Sequence, residues 1–348
     1  MPTTLTKLQQ MGQTYAVLTN GHGGRLIILE KGARALDLKA DEDEPSAFWH
    51  NLTALRDDKN WNCGGDRTWL SPELDYFQDS SGTYRVPEQL DPGSWKLTQV
   101  SQSHAVANMT CDLQHSGSSK KMRIDLDKRY TLVPNPFLMN HSSLFPDCSS
   151  VSYVGFEVCT EMNLTPLHSV PLTELVASPP GYCNLWSIAQ VPPEGEILAA
   201  THGSVRPITM FSQTEDIPIT LLSNGIRLRC EGPDRFKISL DAMSSTGRFG
   251  YLRPLNSKKS SLIIRQFSVS PSCIYPDYPS HQPDYLGSCM QFYYDGGQLG
   301  HFAELEYHSP ALPIDIPGRS IDVSSFFYFV GDTPSIQKIS TALLGIPS

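Results

Sequence analysis

The stretch Ser152-Tyr-Val-Gly-Phe-Glu-Val-Cys159 is typical of the short runs, rich in Val, Ile, Tyr and Phe, that recur along this sequence. Runs of the same kind are Tyr15–Thr19, Arg25–Leu29, Ile217–Leu222 and Phe326–Val330. Clusters of Gly, Pro, Asn, Asp and Ser separate these runs, whereas segments with the period of a helix are scarce. This pattern predicts an all-β protein.

Turn signals and proline content agree with this prediction. Asn20-Gly21, Asn224-Gly225 and Asp295-Gly296 are typical of tight hairpin turns. The 27 prolines are spread along the chain and argue against long helices. One short terminal helix is expected from Thr333 to Leu344, with Thr333 as its N-cap. Since neither a linker nor a repeat divides the sequence, residues 1–348 are predicted to form a single domain.

Composition limits the partners that the protein can have. The chain has 27 Lys plus Arg and 36 Asp plus Glu, a formal charge of −9 that argues against a nucleic-acid partner. Its N-terminal segment has no apolar signal region, and no apolar run is long enough to cross a bilayer. We therefore expect a cytoplasmic protein that does not bind membranes. The eight cysteines lie far apart without metal-ligand spacing, so we expect reduced thiols. The oligomeric state is left open.

The segment from Asn62 to Glu73 concentrates charged and aromatic residues behind a pair of glycines. Gly64 and Gly65 permit an unusual backbone conformation or a close approach of the chain. Tryptophan can stack on the apolar face of a sugar ring, while arginine and carboxylates can hydrogen-bond its hydroxyls. We therefore predict substrate binding by Asp66, Arg67, Trp69 and Glu73. The alternative is a structural turn with Trp69 in the core.

The segment from Gly300 to Pro310 places several ionisable groups on one strand. Its period of two gives one face with the residues Phe302, Glu304, Glu306 and His308. Two carboxylates and an imidazole are costly to bury unless they meet a ligand, an arginine or a metal. Paired carboxylates also suit acid/base chemistry, because one pKa rises while the other group stays ionised. An exposed edge face is the structural alternative.

Three polar residues in other β-like runs are weaker candidates. Gln190 and Lys237 each place one long polar side chain in a run of apolar residues, and His141 lies in the segment Met139-Asn-His-Ser142. Lysines often extend from the face of a sheet to solvent, and a lone histidine is more often structural.

The order of these stretches resembles the galactose-mutarotase-like superfamily, which includes the aldose 1-epimerases. The resemblance runs from about Tyr15 to Val330 and rests on Gly64–Glu73, Trp186-Ser-Ile-Ala-Gln190, Lys237-Ile, Gly250-Tyr-Leu252, Tyr275-Pro-Asp277, Glu304–Pro310, Leu312-Pro and Pro317-Gly318. It implies an all-β supersandwich of antiparallel sheets whose concave face binds saccharides. In aldose 1-epimerases, a glutamate on a late strand takes the proton of the anomeric hydroxyl and a histidine protonates the ring oxygen. Leu305-Glu306 resembles the neighbourhood of that glutamate.

The resemblance implies Glu306 as the catalytic base. The family's Asn-His-x-Tyr-Phe-Asn-Leu pattern, which carries the acid, is absent here, and we put forward His308 and His141 as substitutes. The expected protein is thus a mutarotase- or epimerase-like isomerase with a small carbohydrate-like ligand and no cofactor. Glu304 would be its second carboxylate, and its ligand-orienting residues would be Asp66, Arg67, Trp69, Glu73, Gln190 and Lys237.

Three other functions fit the same residues. A carbohydrate-binding module without turnover would use the cleft for binding alone. A lyase on the same scaffold would abstract a proton next to a carboxylate or ketone. A metal-dependent enzyme would use His301 or His308 with Glu304 and Glu306 as ligands, although His301 faces the other way in a regular strand.

Overall fold

Two antiparallel sheets dominate the structure. A computed structural model describes residues 3–57, 59–79, 81–116, 118, 120–137, 150–167, 181–277 and 286–347. Within these ranges, each sheet has ten strands. This confirms the predicted all-β class and its sandwich of antiparallel sheets. None of the helices in these ranges has the length and apolar character that a membrane span requires.

The first nine strands in chain order are β1 (Tyr15–Thr19), β2 (Arg25–Leu29), β3 (Arg34–Lys39), β4 (Asp66–Ser71), β5 (Lys96–Gln99), β6 (His104–Gln114), β7 (Lys121–Leu132), β8 (Ser152–Pro166) and β9 (Tyr182–Val191). The remaining strands are β10 (Glu196–Thr201), β11 (Ile208–Met210), β12 (Ile219–Leu222), β13 (Gly225–Arg229), β14 (Phe236–Asp241), β15 (Ser245–Pro254), β16 (Lys259–Phe267), β17 (Ser288–Tyr294), β18 (Ala303–His308), β19 (Leu312–Pro313) and β20 (Gly318–Asp332). The α-helices are α1 (Thr4–Gln10), α2 (Glu73–Phe77) and α3 (Thr333–Leu344).

The first sheet has the order β1-β2-β3-β4-β9-β18-β17-β14-β11, with β19 paired to β9. The second sheet has the order β12-β13-β10-β15-β16-β20-β8-β7-β6-β5. Shorter helical turns occur at Leu52–Arg56, Gln89–Gly93 and Thr214–Asp216. In the first sheet, strands that are far apart in sequence therefore become neighbours.

Helix α3 has the bounds that the sequence predicts, but its cap differs. Asp332, not Thr333, is the N-cap, and its carboxylate accepts a hydrogen bond from the Ser335 amide at 3.0 Å. An aspartate at this position accepts a hydrogen bond from a backbone N–H that has no partner within the helix. Its negative charge also interacts favourably with the positive end of the helix dipole. Gly345 ends the helix in the left-handed conformation, with φ of 69°.

The space between the sheets is mainly apolar but contains a buried ion pair. Leu305 of β18 and Phe326 of β20 belong to one hydrophobic cluster. Arg265 of β16 donates to Asp66 of β4 across this layer, with Nη1 3.1 Å from Oδ1, and both side chains are almost fully buried. A charge in such a layer is tolerated only with a partner. The seven cysteines in the described residues have free thiols.

Candidate functional site

Five neighbouring strands of the first sheet bring the predicted residues together. In order across the sheet, they are β4, β9, β18, β17 and β14. The register sets Arg67 opposite Ile188, which in turn lies opposite Glu306. It also sets Tyr293 opposite both Glu304 and Lys237. Because opposite residues share a face of the sheet, all these side chains lie on the face directed away from the second sheet.

This face forms the floor of a cavity of about 420 Å³. That volume is within the range of small-molecule sites in proteins. Aromatic and charged groups alternate around it, and the lining residues are Trp61, Arg67, Trp69, Glu73, Leu74, Tyr84, Trp186, Met210, Phe211, Arg235, Lys237, Asp277, Tyr293, Leu299, Phe302 and Glu304. The arrangement provides apolar ring faces together with hydrogen-bonding groups of both charges.

Glu306 is fully buried beneath the floor of this cavity and contacts two of its lining residues. Its Oε2 accepts hydrogen bonds from Lys237 Nζ at 2.9 Å and from Trp186 Nε1 at 2.8 Å. Its Oε1 is buried and has no hydrogen-bond partner within the described part of the chain. Burial is the main cause that raises the pKa of Glu306 to about 7, while Lys237 opposes the rise. A carboxyl group with this pKa can exchange a proton near neutral pH.

Lys237 remains charged at this position. Burial works against its ammonium group, but the carboxylates around it, chiefly that of Glu306, raise the pKa of Lys237 above its usual value. Its Nζ also lies 4.8 Å from the centroid of the Trp186 ring, in cation–π contact. A fixed positive charge therefore lies beside the Glu306 carboxylate.

Glu304 differs from Glu306 because it lines the cavity. Its Oε1 accepts a hydrogen bond from Arg67 Nη2 at 2.9 Å. The guanidinium of Arg67 lies 4.2 Å from the Trp69 ring centroid and 5.1 Å from that of Trp61. The two tryptophans and the ion pair thus hold Arg67 and Glu304 in fixed positions at the cavity wall.

Glu73 and Asp277 form a second acidic pair at the wall. Tyr84 donates a hydrogen bond from its hydroxyl to Glu73 Oε1 at 2.9 Å. Burial raises the pKa of Glu73, an effect that Lys237 opposes and Asp277 reinforces. Asp277 Oδ1 accepts hydrogen bonds from Ser71 Oγ and from the Glu73 amide. Glu73 therefore keeps its proton to a higher pH than an ordinary glutamate does.

His308 lies beside the site but not at its surface. The side chain is fully buried and stacks on Trp186, with ring centroids 5.8 Å apart. The amide nitrogen of Gln291 donates to Asp277, so its Oε1 faces His308. Because an amide oxygen can only accept, His308 Nε2 is the donor of the 3.0 Å hydrogen bond between them. Burial lowers the pKa of His308 to about 4, so the ring is neutral at pH 7. Asn184 contacts its other ring nitrogen at 3.4 Å.

Two predicted ligand-orienting residues lie elsewhere. Asp66 precedes Arg67 on β4, so strand alternation directs it to the opposite face, where it pairs with Arg265. This corrects its expected place in the cleft. Gln190 is fully buried beneath the cavity wall and donates from Nε2 to Asn62 Oδ1 at 3.0 Å. Its contact supports the loop that carries Trp61. His141 lies outside the described residues.

The predicted shared face of the strand is present, but His301 is not part of the strand. Its backbone has φ of 64°, and its Nε2 lies 3.3 Å from the Tyr294 hydroxyl. Among the described residues, no group of three or more His, Cys, Asp or Glu side chains is arranged to hold a metal ion. Neither His301 nor His308 therefore forms a metal-binding group with Glu304 and Glu306 in the described part of the chain, as the metal-dependent alternative required of one of them.

Several lining residues were not predicted as site residues. Asp277 and Trp186 stood in the motifs that carry the family resemblance, which was the available signal for them. Arg235, Phe211 and Tyr293 come from turns and strand ends whose position depends on sheet order. Nothing in their local sequence distinguishes them from surface residues.

Comparison with known proteins gives a family and similar solved structures. A family model described as "Family of unknown function (DUF6786)" matches residues 4–348. A GalM/aldose epimerase homologue from C. elegans is 9% identical, with a TM-score of 0.44 and coverage of 91% of this chain and 98% of that one. A galactose 1-epimerase from Lactobacillus acidophilus NCFM is 8% identical, with a TM-score of 0.42 and coverage of 92% and 95%. At 8–9% identity and with TM-scores below 0.5, these similarities concern the arrangement of the chain and not its activity. No curated protein matches the chain.

Proposed function

The chain belongs to DUF6786, a family of unknown function, and from the chemistry of the cleft we propose that it isomerises a sugar or sugar-like compound by general acid/base proton transfer. The observation that carries this proposal is the Glu306 carboxyl group. It combines a pKa of about 7 with a free Oε1, and it lies beneath an aromatic-lined cavity. A base with a pKa near the working pH is the most effective proton acceptor.

In the proposed reaction, Glu306 takes the proton of the anomeric hydroxyl of a cyclic sugar. The electrons of that O–H bond form the C=O bond of the open-chain aldehyde, while the bond between the anomeric carbon and the ring oxygen breaks. The ring oxygen keeps the electrons of the broken bond and needs a proton. Reclosure on the other face of the aldehyde reverses these transfers and gives the other anomer, so no cofactor is needed.

Glu73 is our candidate for the acid that protonates the ring oxygen. It lines the cavity, and burial raises its pKa, which favours the protonated form. His308, one of the two acids expected from the sequence, directs its Nε2–H to Gln291 rather than to the cavity. Removing a positioned acid or base typically slows a reaction by about 10²- to 10⁴-fold.

The remaining lining groups suit the orientation of a saccharide. Trp61 is partly exposed, and Tyr84 and Phe211 are exposed, so these lining residues offer apolar ring surface against which a pyranose can pack. The rings of Trp69 and Trp186 are buried beneath Arg67 and Lys237. Arg67 and Glu304 offer a donor and an acceptor beside them. A site that only bound sugar would have no use for a carboxyl group with a pKa of about 7, which is why we favour catalysis over binding alone.

The test is NMR of the purified protein with a panel of aldoses, sugar acids and phosphosugars. Saturation transfer reports binding, and anomer exchange is recorded in the same tubes. We expect the wild type to accelerate exchange of at least one sugar. Glu306→Gln should slow that exchange by about 10²- to 10⁴-fold and still bind the sugar, because the amide keeps the size of the side chain.

Two further variants make the result specific. Glu304→Gln should weaken binding more than it slows exchange, because Glu304 contacts the cavity but is not the proposed base. Glu157→Gln changes a glutamate of β8 in the second sheet and should leave both unchanged. Loss of exchange in Glu304→Gln alone would move the role of base to Glu304. Binding without exchange by the wild type would favour a carbohydrate-binding module.

A further inference from the structure

Phe211 has an unusual conformation at the edge of the cavity. It follows strand β11 with φ of 73°, a region that bulky residues rarely adopt. The residue is 54% exposed, although large apolar residues are normally buried. Strain of this kind is retained where the surrounding structure enforces it, and it is concentrated at functional sites.

The ring of Phe211 is held between two other lining residues. The guanidinium of Arg235 lies 4.6 Å from the Phe211 ring centroid, and the Tyr293 ring meets it edge-on at 6.1 Å. The neighbouring Ser212 donates from Oγ to the Arg235 carbonyl oxygen at 2.7 Å, which fixes this turn to the start of β14. We call Phe211 and Arg235 the rim pair.

Arg235 differs from the other cations of the cavity because its charge is not neutralised. Arg67 pairs with Glu304, and Lys237 pairs with Glu306. Within the described ranges, Arg235 forms no ion pair, and it is exposed. The Tyr293 hydroxyl accepts a hydrogen bond from the Arg235 side chain, and because a guanidinium has five N–H donors, the others remain for a ligand.

The position of Arg235 relates it to the proposed reaction centre. It precedes Lys237 by two residues, so their Cα atoms are about 7 Å apart along the strand direction. Lys237 lines the floor and contacts Glu306 beneath it, while Arg235 is at the solvent end of the same cavity. A sugar ring placed over Glu306 would therefore direct a substituent towards Arg235.

We propose that the rim pair binds an acidic substituent of the ligand, a carboxylate or a phosphate, so that the preferred substrate is an acidic sugar. This inference rests on the proposed function and names its substrate class. The guanidinium supplies paired N–H donors that match the oxygens of either group. The carboxylates of the cavity, in contrast, accept hydrogen bonds from the sugar hydroxyls.

The test compares matched ligands that differ only in charge. Binding of a neutral aldose, its uronic acid and its 6-phosphate is measured by isothermal titration at low and high salt. We expect at least one acidic sugar to bind about tenfold more tightly than the neutral one at low salt, as one charge-assisted hydrogen bond would provide. High salt should reduce this advantage, because the site is at the solvent end. Whether the uronic acid or the 6-phosphate binds more tightly shows which acidic group the rim pair prefers.

Variants assign the preference to the rim pair. Arg235→Gln should abolish it, and Phe211→Gly should reduce it, since glycine accepts the positive φ but removes the ring under the guanidinium. Arg319→Gln, an exposed arginine of β20 that pairs with Glu161, should retain the full preference. Neutral sugars that bind as tightly as acidic ones would overturn the inference and leave the proposed function intact. If no sugar binds, both fail.

Discussion

At the residue scale, two side chains of β18 show how burial sets charge. Burial disfavours the charged form of both, so it raises the pKa of Glu306 to about 7 and lowers that of His308 to about 4. Glu306 is thus ready to gain and lose a proton near neutral pH. His308 stays neutral and holds Gln291 and, through it, Asp277.

The His308 shift predicts a dependence of stability on pH. Its pKa in the fold lies below the usual 6.5, so the unfolded chain takes up the proton first as the pH falls. The contribution of neutral, buried His308 to the free energy of unfolding is fully present above pH 6.5 and is lost as the pH falls to about 4. His308→Gln should lack this loss. The free energy of unfolding in urea, measured across that range, tests this prediction.

Titration of Glu306 changes the free energy of unfolding in the opposite direction over part of the same pH range. The effect of His308 is therefore read from the difference between the wild type and variants that keep Glu306. Its folded pKa lies above 4.5, and its contribution is lost as the pH rises towards 7. His202→Gln, which changes an exposed histidine, is the matched control and should follow the wild type. Parallel curves for wild type and His308→Gln would refute the assigned pKa shift.

At the scale of elements, strand alternation explains which site predictions hold. It correctly puts Glu304, Glu306 and His308 on one face of β18. The same rule separates Asp66 from Arg67, and the sequence grouped them only because they are adjacent in a polar stretch. Strand alternation shows which residues of one strand share a face of the sheet. It does not show which of the two faces packs on the second sheet, because that depends on how the sheets pack together.

The Asp66–Arg265 pair predicts a stability effect without a catalytic one. Removing one partner leaves the other charge buried without a counter-ion, so Arg265→Met should lower the free energy of unfolding by about 3–5 kcal/mol. Asp66→Asn should also destabilise the fold, and the double variant should lose less than the sum of the two single losses. Urea unfolding of the four proteins forms the double-mutant cycle.

The cycle also tests where Asp66 acts. Folded Asp66→Asn should bind and exchange the sugar as the wild type does, since its side chain faces Arg265 in the layer between the sheets. If this variant keeps its stability but loses ligand binding, Asp66 belongs to the cleft, as the sequence grouping suggested.

At the scale of the whole molecule, the two faces of the first sheet have different tasks. One face packs on the second sheet and stabilises the fold, whereas the other, with the loops around it, forms the cavity. The sequence predicts the strands and the chemistry of the motifs, because both are local. It does not predict that Lys237 contacts Glu306 from 69 residues away, or that Arg235 and Phe211 meet at the rim. Those contacts depend on the order of strands in the sheet.

The pH dependence of anomer exchange tests the central claim, that Glu306 is the base, most directly. The exchange rate should fall as the pH drops below about 7, because Glu306 becomes protonated. Lys237→Met removes the charge that favours the carboxylate and should move the midpoint to higher pH, whereas Lys338→Met on the exposed side of α3 should not. A rate that stays constant through pH 7, or a midpoint that Lys237→Met leaves in place, would contradict the account.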